Sequence, residues 1–338
     1  MSSLGTRLGL DDVLTAAHRI SAQVRRTPLL TVGSLPGLLL KAEHLQHSGS
    51  FKLRGAANTM VGNDATEVVT GSSGNHGIAV ARLGGALGVG VTVVMAAGAG
   101  AAKERVIRAL GARVVRVDGG VAERDRHARE LSDRRGALCI PSSDHELVVA
   151  GQGTLGLEVF EDVPDLDAIY VPTGGGGLLA GVCLAASALT GRVRIIGVEP
   201  VDARRYALSL AAGAPVEVPP SRTVADGLRG QRPGEIPYPV IQRRVDEMIG
   251  VTDEAITHAR ELLHRAGVEA EPTGSVALAG ALASAGPALR GGRVAVIVSG
   301  GNTPAALAAR NLPANRPRIH SEHHADKHAD HHTDQESP

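Results

Sequence analysis

Short apolar runs rich in β-branched residues alternate along the chain with longer stretches whose apolar positions recur every three or four residues. EVVTG (67–71), VGVTVVM (89–95), ARVVRVDG (112–119) and ALCI (137–140) are bounded by glycine or polar residues, which predicts buried strands. Between them, GIAVARLGGALG (77–88), AAKERVIRAL (101–110) and VAERDRHARELSDRR (121–135) carry helical spacing, and Gly111 follows the second where a C-cap glycine belongs. The rhythm resumes downstream. LDAIYVPT (166–173), VRIIGVEP (193–200) and RVAVIVSGG (293–301) read as strands, while 146–162, 178–189, 202–213 and 253–266 read as helices. Such alternation predicts an α/β fold of mostly parallel sheets with helices on both faces. The pattern forms two blocks: a small unit over 68–143, inserted into a larger one made of 1–67 and 144–315.

The last 23 residues, 316–338, break the pattern. They hold six of the 14 histidines, three basic and five acidic residues, and no apolar periodicity. Such a tail cannot bury enough apolar surface to offset its ordering entropy, so it is expected to be disordered. Its histidines could take up Zn²⁺ or Ni²⁺ adventitiously or for storage, but their spacing is irregular. Across the chain 35 Lys and Arg balance 35 Asp and Glu, so no global charge draws it to nucleic acid or a membrane surface. The aromatics are Phe51, Phe160, Tyr170, Tyr206 and Tyr238, with no Trp, too few for base-stacking surfaces. Cys139 and Cys183 lie in apolar runs and read as buried free thiols. The N-terminus carries no charged segment followed by an apolar block, and no apolar run approaches about 20 residues. A cytoplasmic location is expected.

Three predicted strands run into glycine-rich polar loops that open helices: GSSGNHG (71–77), GGGGLLAG (174–181) and SGGN (299–302). In α/β sheets ligands gather at these carboxyl ends. Four glycines between strand and helix let backbone N–H groups converge on an anion, although a flexible turn would read the same way. No Gly-x-Gly-x-x-Gly turn with a downstream acidic residue is present, and no Gly-Lys-Ser/Thr closes a loop, so a small phosphorylated cofactor suits the loop better than a dinucleotide or ATP. SSGNHG offers hydroxyls, an amide, an imidazole and helix-start donors to a carboxylate, or equally an N-cap through Ser73 or Asn75. GSFKLRGA (49–56) sets Lys52 between small residues, Phe51 and a second cation, Arg54. On an exposed face that lysine would mean nothing; in a pocket, desolvation would make its amine a nucleophile.

A nucleophilic amine with cradles for phosphate and carboxylate describes an enzyme that holds pyridoxal phosphate as a Schiff base and processes an amino acid. Here the sequence resembles the fold type II pyridoxal-phosphate enzymes, with their tryptophan synthase β-like pair of open twisted sheets, and within them the serine/threonine dehydratases and serine racemases. GSFKLRGA, SSGNHG, VVAGQGT (148–154), VPTGGGGLLAG (171–181), TVADGL (223–228), EPTG (271–274) and SGGN follow the family's order over about residues 10–312. The resemblance implies that Lys52 carries the cofactor, Phe51 flanks its ring and Asn75 meets its ring hydroxyl. Gly174, Gly175, Gly176, Gly177 and Leu178 would hold the phosphate, and Ser299 would face the pyridine nitrogen. A neutral hydroxyl there leaves the ring a weaker electron sink than an aspartate would, which suits β-elimination and disfavours transamination. Ser72, Ser73, Gly74, Asn75 and His76 would take the substrate carboxylate. Ser73 would lie across the ring from Lys52, where racemase relatives keep a second acid/base group.

The implied activity is a pyridoxal-phosphate ammonia-lyase converting L-threonine or L-serine to a 2-oxo acid and ammonia. Serine racemisation, or lysis of another β-hydroxy amino acid such as 3-hydroxyaspartate, is the same-class alternative; small Ser142 and Ser143 could open the pocket for the latter. A non-catalytic cofactor binder or a metal-storing protein is the alternative outside that class, and the intact set of Lys52, Asn75 and Ser299 speaks against it. Relatives carry an arginine reaching the site near Arg124, but VAERDRHA reads as a solvated helix face. Glu271 and Asp226 match family positions and read equally as structural carboxylates. Metal-binding relatives use a glutamate, a carbonyl four residues on and an acidic residue two beyond; here Glu199 and Ala203 are followed by Arg205, expected to pair with Glu199 and replace the cation. No metal is expected there, although Asp202 could rescue a shifted site. Relatives form homodimers, so a homodimer is expected.

Overall fold

The computed structural model describes residues 8–189, 191–284 and 293–309; the tail at 316–338 lies outside them. The strands in chain order are β1 (Leu29–Leu30), β2 (Leu38–Ala42), β3 (Glu67–Gly71), β4 (Gly90–Ala96), β5 (Arg113–Val117), β6 (Leu138–Cys139), β7 (Ala168–Pro172), β8 (Arg194–Pro200), β9 (Glu247–Val251) and β10 (Val294–Val298). The first six helices are α1 (Leu10–Ile20), α2 (Lys52–Val61), α3 (Asn75–Leu87), α4 (Ala101–Ala109), α5 (Val121–Arg135) and α6 (Glu146–Asp162). After them come α7 (Gly177–Ala185), α8 (Arg205–Ala212), α9 (Pro237–Arg244), α10 (Asp253–Arg265), α11 (Pro272–Ser284) and α12 (Pro304–Ala309).

Two sheets organise these elements, as the alternation predicts. The smaller is all parallel, in the order β5-β4-β3-β6. The larger runs β1-β2-β10-β7-β8-β9, with only β1 antiparallel. Its central strands AIYVP and VAVIV are buried at every position, the unbroken apolar run expected of a parallel strand covered on both faces. One face packs on α6 and α7, the other on α10 and α11. Helix α11 is buried from Thr273 to Ala281, so apolar residues ring that stretch and give no amphipathic signal in the sequence.

Helix α2, which opens with Lys52, sends Leu53, Ala56, Ala57 and Met60 into the core around the smaller sheet, against Val68, Ile78 and Ile107. It is held between that core and α6. A Cβ on Gly151 of α6 would lie 2.7 Å from the Gly55 Cα, so only glycines permit this approach. Arg54, fully buried on α2, donates to Glu43 at 2.8 Å and to Glu158 of α6 at 2.7 Å, and Lys41 of β2 also meets Glu158 at 2.6 Å. Two cations facing two carboxylates satisfy each other, as buried charges must. Both cysteines are free, Cys183 buried and Cys139 partly so. Among the described residues no helix is long and apolar enough to cross a membrane.

Candidate active site

The site collects at the carboxyl ends of β2, β10, β7 and β3. The loop after β2 is stitched to the loop after β10: Phe51 N–H donates to Ser299 O at 3.1 Å and Gly301 N–H to Gly49 O at 3.0 Å. This fixes the start of α2. Lys52 as a residue is half-buried. Its Nζ donates to Ser142 O at 2.6 Å and sits 5.1 Å from the Phe51 ring centroid. Burial of the amine, and then the charge of Arg124, lower its pKa from 10.5 to about 8.

Residues 174–177 link β7 to α7. Arg205 Nε donates to Gly174 O at 2.9 Å, and Tyr206 OH donates to Gly175 O at 2.9 Å. A trans peptide points its C=O and the following N–H in opposite directions, so the N–H groups of Gly175 and Gly176 turn away from Arg205 and Tyr206. They join the positive N-terminal pole of α7. Gly176 has φ +94°, and a Cβ there would collide with Tyr206 OH; one on Gly175 would collide with Ser143 Oγ. Only glycine fits, and the flexible-turn reading of the loop falls away. Segment 142–143 touches both the Lys52 amine and this loop, so the two adjoin.

On the third side, Asn75 at the start of α3 donates from Nδ2 to Glu271 and accepts from Asn302 Nδ2 at 2.8 Å. Ser299 is buried, its hydroxyl 3.4 Å from Thr273 O. Lys103 of α4 reaches over to Asp226 at 2.7 Å and Glu271 at 3.4 Å. Burial raises the Glu271 pKa, and the Lys103 ammonium opposes that rise. Ser72 Oγ accepts from the N–H groups of Gly74 at 3.2 Å and Gly77 at 2.9 Å, so Ser72, and neither Ser73 nor Asn75, braces the helix start. Ser73 Oγ accepts from Ala96 N–H at 3.3 Å. The His76 ring is buried against Ile140 O at 3.1 Å; burial, then the Lys52 charge, drive its pKa down to about 3, and its ring is neutral.

Two expectations are corrected. Arg124 is not on a solvated face: its side chain is 12% exposed, pairs with Asp125 at 2.7 Å and lends its charge to the surroundings of Lys52. Arg205 does not pair with Glu199. The Glu199 oxygens accept from the Tyr206 and Ala207 N–H groups at 2.9 and 3.0 Å, capping α8, while the guanidinium donates to carbonyls. Sequence reasoning also passed over Lys103, Tyr206, Thr273 and Asn302. Lys103 sits in an ordinary amphipathic pattern, and nothing local marks it; Asn302 at least closes a quoted motif.

A buried amine of lowered pKa beside an anion-ready glycine loop, at the carboxyl ends of parallel strands, suits one class of protein: an α/β enzyme that tethers a phosphorylated carbonyl cofactor to a lysine. The chain belongs to the pyridoxal-phosphate dependent enzymes, whose family model matches residues 20–300. It is 38% identical to L-threo-3-hydroxyaspartate ammonia-lyase of Saccharomyces cerevisiae, over 86% of this chain and 92% of the relative. It is 35% identical to serine racemase of Oryza sativa subsp. indica, over 89% of this chain and 92% of the relative. Among solved structures, the T.th. threonine deaminase superposes with a TM-score of 0.82 at 39% identity, covering 87% of this chain and 98% of that one. The chain is thus a member of the ammonia-lyase and racemase group, and its cofactor is pyridoxal 5′-phosphate.

Proposed function

We propose that the protein is a dehydrating ammonia-lyase for L-serine and L-threonine, with Lys52 as the residue that bears the cofactor. The observation that carries this is the Lys52 amine, with its pKa lowered to about 8, adjoining the 174–177 loop through segment 142–143. Near neutral pH an appreciable fraction of that amine is unprotonated and nucleophilic. The N–H groups of Gly175 and Gly176 would take the phosphate, with Gly174, Gly177 and Leu178 completing the turn. Phe51 would lie along the ring, Asn75 would meet its hydroxyl and Ser299 its nitrogen. When bound, pyridoxal phosphate supplies the electron sink for the pair released at the substrate's α carbon.

The chain's own residues do the rest. The N–H groups of residues 73, 75 and 76 would orient the substrate carboxylate at the positive end of α3, with the Ser72 hydroxyl fixing the turn through the Gly74 and Gly77 N–H groups. The freed Lys52 amine takes the α proton. The β-hydroxyl leaves as water, and one water enters as ammonia departs, so no redox partner is needed. Ser299, a neutral hydroxyl, places no fixed negative charge opposite the ring nitrogen, which favours loss of a leaving group over amino transfer.

A second reading rests on Arg124. A nearly buried guanidinium whose charge reaches Lys52 suits a substrate with a second carboxylate, such as 3-hydroxyaspartate. One experiment separates the two. Purified protein with bound cofactor is given L-serine, L-threonine and L-threo-3-hydroxyaspartate in turn, following the visible imine absorbance and release of 2-oxo acid. Lys52→Ala abolishes that absorbance. Turnover of serine or threonine that Arg124→Gln leaves within about twofold supports the first reading; turnover of hydroxyaspartate that Arg124→Gln lowers by about a hundredfold supports the second. Bound cofactor with no 2-oxo acid from any substrate overturns both.

A further inference from the structure

The metal arrangement implied by the resemblance needs Glu199, the Ala203 carbonyl and an acidic side chain at 205. The residues present do not fit it. Arg205 is fully buried, and its guanidinium is surrounded by the kind of oxygen ligands that a hard cation takes. Nη1 donates to Gly230 O at 2.6 Å, Leu228 O at 2.9 Å and Ala203 O at 3.2 Å, Nε to Gly174 O at 2.9 Å, and Nη2 reaches Thr173 O at 3.5 Å. The Glu199 charge favours the guanidinium, while its own oxygens accept from the Tyr206 and Ala207 N–H groups. A divalent ion cannot share this small space with a guanidinium.

We propose that Arg205 is a built-in cation: it stands where an ion would otherwise bind and ties strand end 173–174 to loop 228–230. In doing so it presets the glycine cradle without a divalent metal. The turn of Gly174 O toward Arg205 is what aims the Gly175 N–H the other way, so Arg205 is a positioning residue for the cofactor phosphate. That part of the inference rests on residues 174–177 being the phosphate cradle; the claim about the cation does not.

The test uses the cofactor-loaded enzyme and two readouts, melting temperature and the rate of cofactor loss into a chelator-treated buffer. For the wild type, neither changes when Mg²⁺, Mn²⁺ or Ca²⁺ is added. Arg205→Ala leaves buried carbonyls unpaired and loses cofactor about tenfold faster, with no rescue by any of the ions. Arg205→Asp restores an acidic ligand and melts higher in Ca²⁺ or Mg²⁺ than in chelator. A wild type stabilised by a divalent ion, an Arg205→Asp protein indifferent to all three, or wild-type cofactor retention in Arg205→Ala would each overturn the proposal. Should Arg205→Asp fail to fold, the wild-type and Arg205→Ala measurements still decide. Ion-dependent melting needs no cofactor, so a chain that takes up no pyridoxal phosphate sinks the cradle reading separately.

Discussion

Lys52 is held in a state that its amine would not adopt in water. Its pKa falls from 10.5 to about 8 because burial, and then Arg124, penalise the charged form. Between those values the unfolded chain binds more protons than the native one, so the cofactor-free protein gains stability as pH rises from about 8 to 10.5. Below about 8 the penalty is fully present. Lys52→Met in cofactor-free protein is therefore expected to be about 2 kcal/mol more stable than wild type at pH 7, with the gap closing by about pH 10. Urea midpoints at the two pH values measure it; an equal gap at both would remove this account. The lysine was legible in the sequence because it stands in a motif, GSFKLRGA, that is read with the glycine-rich loops. Arg124 was not, because it is one of many charged residues in VAERDRHARE, although its spacing to Ala128 and Leu131 puts it on the face that α5 buries. The same holds for Arg205, whose partners are carbonyls that no side-chain pattern records.

At the scale of elements, the strands were readable where an apolar run is short and bounded, and the three glycine loops fell at strand ends as expected. What escaped included the helix without a polar face, α11, the short edge strand β1, strands β2 and β9, and helices α1 and α9. Helix α2 escaped too, since its position depends on a charge network drawn from distant segments. Arg54 anchors α2 to Glu43 and Glu158. Arg54→Met leaves two carboxylates facing Lys41 alone and is expected to cost about 3–5 kcal/mol in urea unfolding. Because α2 begins with Lys52, the same variant should also hold its cofactor less tightly; unchanged unfolding would show that the network carries no net stability. The cradle makes a second element-level demand. Gly176→Ala must place a side chain at φ +94° and against Tyr206, so the folded variant is expected to lose cofactor at least about tenfold faster in the absorbance assay.

Across the whole molecule, Lys103 on a helix of the smaller sheet reaches Asp226 and Glu271 on the larger one, beside the candidate carboxylate loop. Lys103→Ala removes both ion pairs across the cleft. A rise in KM of about three- to tenfold, with a smaller change in kcat, is what the proposed substrate-carboxylate loop at residues 72–76 predicts. Without the ammonium, the Glu271 pKa rises further. An unchanged KM would place Lys103 outside substrate binding.

Strand β10 carries one last consequence. It lies between β2 and β7, in register with Leu38–Ala42, yet it is the final strand of the chain among the described residues. On the ribosome, β2 and β7 would emerge long before the segment that must sit between them. Lys52 would be synthesised early, but the loop that fixes Phe51 arrives with residues 299–301. Until then the larger sheet has an open slot with exposed edges, a state prone to wrong pairing. The nascent chain should thus bind no cofactor before β10 emerges, and that strand is the one that switches the site on.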